Sequence, residues 1–136
     1  MNEPVHSALF ICRQRTEEAR ARAAAAELED GRLRTAQIFV ECKPDEFWPG
    51  FAGWLADNFP IYLEFERRAL ALWKAGRTHY GHRSLWEVVR YETALRERDG
   101  EFKLNDHFTK SAAKLFCMMN PACDGMFEFR QSMGDR

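Results

Sequence analysis

Lys110 and Lys114 stand four residues apart, with His107 three residues before the first and Ser111 between them. On an α-helix this spacing lines two ammonium groups, an imidazole and a hydroxyl along one side. Such a row suits phosphate, because cationic and hydroxyl donors meet phosphate oxygens and position a protein on nucleic acid without reading its sequence. Arg77 and Arg83, with Arg90 beyond them, extend the basic strip. The plainer reading of the same residues is the solvated face that every core helix carries.

The other polar motifs say less. Asp30 with Glu41-x-Lys43 has the form of a metal-dependent nuclease centre, in which two carboxylates hold a divalent cation and the lysine steadies the attacking water. A polar strand terminus accounts for it better, since the chain lacks the several strands such a core needs. His79 and His82 fall in a loop with no carboxylate partners close in sequence, and read as hydrogen-bonding loop residues. Cys12, Cys42, Cys117 and Cys123 form no C-x-x-C pair and suit no zinc finger or ribbon, so free thiols packed as small hydrophobes are expected. No serine or cysteine lies in a nucleophile motif, and no glycine-rich phosphate loop is present. No catalytic residue, metal or cofactor is assigned, and an enzyme is not expected.

A helix over 106–119 must carry the lysine row. Asn105 or Asp106 caps it, Phe108, Ala112, Leu115, Phe116 and Met119 form its inner face, and Pro121 prevents its continuation. Short alternating segments flank it. Phe102 and Leu104 on one side, Phe127 and Phe129 on the other, pair as a small β element at about 102–104 with 127–129. Before it, Ile61 to Ala75 carries a wide apolar stripe closed by Gly76, and Ser84 is a natural cap for a helix over 85–96 with Leu85, Val88, Val89 and Leu95 inward. Asp45 opens an aromatic segment in which Phe47, Phe51 and Trp54 share a helical face, although Pro49-Gly50 interrupts it. Residues 4–30 read as a long helix ended by Gly31, with Val5, Leu9, Cys12, Thr16, Ala19, Ala23 and Ala26 on one narrow face and a second start signal near Thr16. Thr35 to Cys42 is the best strand candidate of the first half, because Ile38, Phe39 and Val40 are β-formers.

The expected fold is therefore mainly α: a compact bundle of four to five helices with the small β element, for which a winged-helix arrangement is one form. Residues 1–44 make an amino-terminal helical extension with a short strand at 35–42, and residues 45–136 the helical core domain. A helix-turn-helix reading of the last three helices meets one obstacle. Glu97 to Asn105 is longer than the three- or four-residue turn that motif uses. Among the polar residues, Glu87, Arg90 and Arg130 are expected to form a buried ion-pair network, with Asn105 and Asp106 as caps.

At 136 residues the chain has the size of one domain with a real core. A net charge of −1 argues against a dedicated nucleic-acid binder and confines any such role to a local patch. Apolar runs such as Ala8 to Cys12 are far too short for a membrane span, so no membrane association and a cytoplasmic location are expected.

Several residues together resemble a known pattern. Glu46-Phe47-Trp48, Asn58-x-Pro60-x-Tyr62-x-x-Phe65, Leu85-Trp86-Glu87-x-x-Arg90-Tyr91-Glu92, Phe102-Lys103-Leu104-Asn105-Asp106, Pro121 and Gly125-Met126-Phe127-Glu128-x-Arg130 occur in order over about residues 45–130. This resembles an uncharacterised family of small phage- and prophage-borne proteins. Members often carry a run of asparagines where this chain has Asn105-Asp106. The resemblance implies a phage or mobile-element accessory protein acting in the host cytoplasm, and no catalytic residue. Two functions follow as expectations: nucleic-acid (DNA) binding through helix 106–119, or a protein–protein module that inhibits or modulates a host factor in an anti-CRISPR-like manner, with homodimerisation compatible with the second.

Overall fold

The computed structural model describes residues 3–96 and 105–129, with side chains from Ala8 onward. The described residues form five α-helices: α1 (Glu3–Cys42), α2 (Phe51–Asp57), α3 (Phe59–Lys74), α4 (His82–Arg96) and α5 (Asp106–Met119). Short 3-10 turns at Pro44–Glu46 and Pro121–Cys123 stand before α2 and after α5. The chain divides into two compact units, Met1–Thr35 and Ala36–Arg136.

In the first unit α1 is uninterrupted, and every side chain from Ala8 to Gly31 is exposed. Neither the break near Thr16 nor the stop at Gly31 occurs. Thr16 returns its hydroxyl to the Cys12 carbonyl (2.8 Å) and Thr35 to that of Gly31 (3.0 Å), both as residues within the continuous helix. An interior glycine costs a helix about 1 kcal/mol, which is too little to stop one that has favourable residues on both sides.

The second unit holds the core. The expected strand at 35–42 is helical. Ala36 and Val40, one helical turn apart, are buried while Ile38 between them is exposed, a period of four rather than two. Strand propensity is a statement about packing on a pleated surface, and among the described residues no second strand offers one. Among the described residues there is no strand at all. Phe127 is buried in irregular chain, and residues 102–104 lie outside the described residues, so neither the small β element nor a wing is found.

Local signals explain the helix ends. Asn58 serves two helices: its side-chain amide donates to the Trp54 carbonyl at the end of α2 (3.0 Å), and its own carbonyl accepts from Ile61 N–H (3.0 Å) at the start of α3. Gly76, at φ +89°, ends α3. Arg77 N–H reaches back to the Leu72 carbonyl and Gly76 N–H to that of Trp73, the paired bonds that close a helix through a left-handed residue. Gly50, also at φ +89°, delays α2 until Phe51, so the helix expected from Asp45 is the end of a 3-10 turn and an irregular segment followed by a short helix.

Aromatic rings set how the helices meet. Phe65 of α3 stacks on Trp86 of α4 (centroids 4.2 Å apart, 8° between planes) and meets Phe116 of α5 edge-on (6.1 Å, 88°). Trp86 also donates its indole N–H to the Thr109 carbonyl of α5 (3.1 Å). Arg68 of α3 pairs with Glu92 of α4 at the rim. This anchoring rotates α4 away from the expected face: Leu85, Trp86, Val89 and Thr93 are buried, whereas Val88 (44%) and Leu95 (66%) are exposed. The helix begins at His82, so Ser84 is not its cap. The Glu87–Arg90 pair (3.4 Å) is a solvated surface contact and not a buried network, and Arg130 lies outside the described residues.

The rotation of α4 is open to measurement by denaturant unfolding. Trp86→Ala is expected to cost about 3–5 kcal/mol of stability. Val88→Ala and Leu95→Ala should each stay within about 0.5 kcal/mol of wild type. Equal losses at all three positions would restore the face read from the sequence.

Candidate nucleic-acid interface

α5 is the most enclosed helix of the second unit. Thr109, Ser111, Ala112, Ala113, Leu115 and Phe116 are buried, and only Asp106 and His107 are exposed. Asn105 caps it as expected, its side-chain oxygen accepting from His107 N–H (2.8 Å). The Asp106 carbonyl accepts from the Thr109 hydroxyl (2.9 Å).

Across the first half of α5 lies the segment Pro44–Pro49. Its backbone and an aromatic ring hold it there. Phe47 is buried and stacks on Phe51 (5.4 Å, 7°), and the Trp48 backbone N–H donates to Ser111 Oγ (3.0 Å). The Trp48 ring then lies flat on the His107 imidazole, with centroids 3.7 Å apart and planes within 5°. Segment and helix enclose a cleft of about 380 Å3, lined on the α5 side by His107, Lys110, Ser111 and Lys114.

All four residues of the expected row thus reach one cleft, in different roles. His107 is exposed and forms the base of the stack. Lys110 is half-buried. Ser111 does not face solvent: at 4% exposure it is an internal fastener for Trp48. Lys114 keeps only 17% of its side chain exposed, its ammonium lying 3.7 Å from the Glu46 carboxylate, 3.4 Å from the Glu46 carbonyl and 5.9 Å above the Phe129 ring. Arg77 and Arg83 are exposed but do not line the cleft. The sequence reading missed Trp48 and Glu46. The available signal was Pro49-Gly50, which breaks the helix and frees Trp48 from its expected place beside a core face.

Electrostatically the cleft is mixed, with Lys110 and Lys114 set against Asp45 and Glu46. The nuclease-like set does not form: residues 30–42 are helical, and among the described residues no three His, Cys, Asp or Glu side chains gather as a metal site. Burial pushes the Cys117 thiol up to about 11 and raises that of Cys123, so neither is a ready nucleophile at neutral pH. Compared with known proteins, the chain matches no family model, no curated protein and no solved structure.

His82 marks the edge of this region. It packs edge-on to Phe127 (6.2 Å) and against Phe129 (5.7 Å), and its buried Nδ1 has no hydrogen-bond partner among the described residues. Burial first, then the charges of Arg83 and Lys110, hold its pKa down to about 4 from 6.5, with Asp106 opposing them. The folded state therefore favours the neutral ring. The stability this contributes is complete above pH 6.5 and is lost as pH falls from 6.5 toward about 4. Melting temperatures followed from pH 8 to pH 5 should fall more for wild type than for His82→Phe. Parallel curves would show that His82 is not responsible.

Proposed function

We propose that this protein binds nucleic acid at the cleft between the 44–49 segment and α5, with Lys110 and Lys114 meeting phosphates. One observation carries the reading: two lysines four residues apart converge, with an exposed indole stacked on an imidazole, on one concavity. Concave sites with a few convergent polar groups are where ligands bind. Insertion of α5 into a DNA major groove finds little support, because a recognition helix presents its side chains to solvent and most of α5 is internal. The phage or mobile-element setting rests on the sequence resemblance alone. With it goes action in the host cytoplasm. Among the described residues no helix is long and apolar enough to cross a membrane.

With two lysines offset by two carboxylates, the electrostatic share of affinity is small. Two phosphate contacts give a slope of log affinity against log salt of about −1.4 for a single strand and about −1.8 for a duplex. Lys110→Glu combined with Lys114→Gln should lower affinity by roughly tenfold and flatten that slope, with an unchanged melting curve as control. An unchanged affinity in a folded double mutant overturns the reading.

A protein-binding role has its own support in the first unit. Leu9, Phe10, Ile11 and Leu28 are exposed on a helix segment that buries none of its described side chains from Ala8 to Gly31, and such a segment is marginal in water without a partner. A second copy of the chain is the simplest occupant of the Leu9, Cys12, Thr16, Ala19, Ala23 and Ala26 face, whose three- and four-residue spacing suits helix pairing. A host factor is the other. Sedimentation equilibrium should give a dimer mass that Ala19→Glu with Ala23→Glu returns to monomer. A wild-type monomer at high concentration removes the self-association.

A further inference from the structure

Resting on the nucleic-acid reading of the cleft, we infer that the form bound there is single-stranded. One unpaired base stacks on Trp48, and its neighbouring phosphates lie within reach of Lys110 and Lys114. The stack itself points this way. One face of the Trp48 ring is covered by His107 at 3.7 Å, yet the residue remains 40% exposed, so part of it outside that contact is accessible to a planar group. An indole surface of this kind takes any base, since every base has a π-face.

The platform is also held in place before any ligand arrives. The Trp48 N–H is bonded to buried Ser111, its neighbour Phe47 is stacked in the core, and the helix turn that carries His107 is capped by Asn105. A side chain ordered in advance adds little entropy cost on binding. The volume agrees: about 380 Å3 is the scale of a single small-molecule site and far too small to admit a duplex. Nor does the surface offer a duplex what it requires. Of α5 only Asp106 and His107 are exposed, and the two lysines share the cleft with Asp45 and Glu46.

Those carboxylates fit a single strand. Glu46 holds Lys114 at 3.7 Å, and a phosphate oxygen can take over that ammonium. A carboxylate released in this way becomes an acceptor for base N–H groups, which only an unpaired base presents on its pairing edge. Stacking supplies the affinity that a nearly neutral cleft cannot draw from counterion release alone.

The test uses the full chain and four labelled probes of one sequence, about a dozen nucleotides long: single-stranded DNA, single-stranded RNA, and the duplex of each. Fluorescence anisotropy is expected to give tighter binding to at least one single strand than to its duplex, accompanied by quenching of tryptophan emission. Trp48→Leu, which keeps the backbone donor to Ser111, should weaken single-strand binding by roughly tenfold with its melting curve unchanged, and Trp48→Phe should restore most of it. Comparing the DNA and RNA strands identifies the source. Equal affinity of Trp48→Leu and wild type for the single strands overturns the inference, as does a duplex bound as tightly as its strand; in either case lysine-dependent binding would keep the broader reading standing. Wild type binding none of the four probes at low salt overturns both.

Discussion

Everything in the second unit turns on the Phe65 ring. It lies fully buried on α3, flat against Trp86 of α4, edge-on to Phe116 of α5, and 5.6 Å from Phe127 in the chain beyond α5. Rings in such arrangements gain about 0.5–1.5 kcal/mol per pair beyond the area they bury. The geometry is also directional: a stack of 8° and an edge contact of 88° cannot both survive a rotation of either helix. The indole N–H of Trp86 adds a second restraint by reaching the Thr109 carbonyl, which ties α4 to a particular turn of α5.

From this follows where chemistry can occur. With α5 enclosed along most of its length, its lysines cannot form an open basic row. They bury part of their stems and present their ammonium groups at the margin, as long cationic side chains do beside apolar surface. The margin they reach is the one made by the 44–49 segment, which Ser111 fastens by accepting the Trp48 N–H. A buried hydroxyl, otherwise a cost, has a partner there, and the same bond aligns the indole over His107. The cleft, its stack and its mixed charge are thus consequences of one helix being central.

The end signals of α3 and α5 were legible in advance. Asn105 and Pro121 bracket α5, Gly76 ends α3, and Asn58-x-Pro60 opens it, because each acts through bonds within one turn of its own position. The apolar spacing of α3 and α5 likewise placed Phe65, Leu115 and Phe116 inward. What misled was equally local. Ile38, Phe39 and Val40 carry strand propensity, and only the burial of Ala36 and Val40 a turn apart decides for helix. Val88 and Leu95 look inward by hydrophobicity, but the larger Trp86 commands the orientation of α4.

What the residues alone determined, then, was the mainly helical character of the chain and most of the helix ends, since these depend on neighbours one to four positions away. Tertiary packing decided which face of α4 is buried, that Ser111 is internal, and that Trp48 and Glu46 join His107, Lys110 and Lys114. Those outcomes depend on contacts such as Trp48 to Ser111, separated by 63 positions in the chain, and no local preference specifies which distant surface a helix will meet.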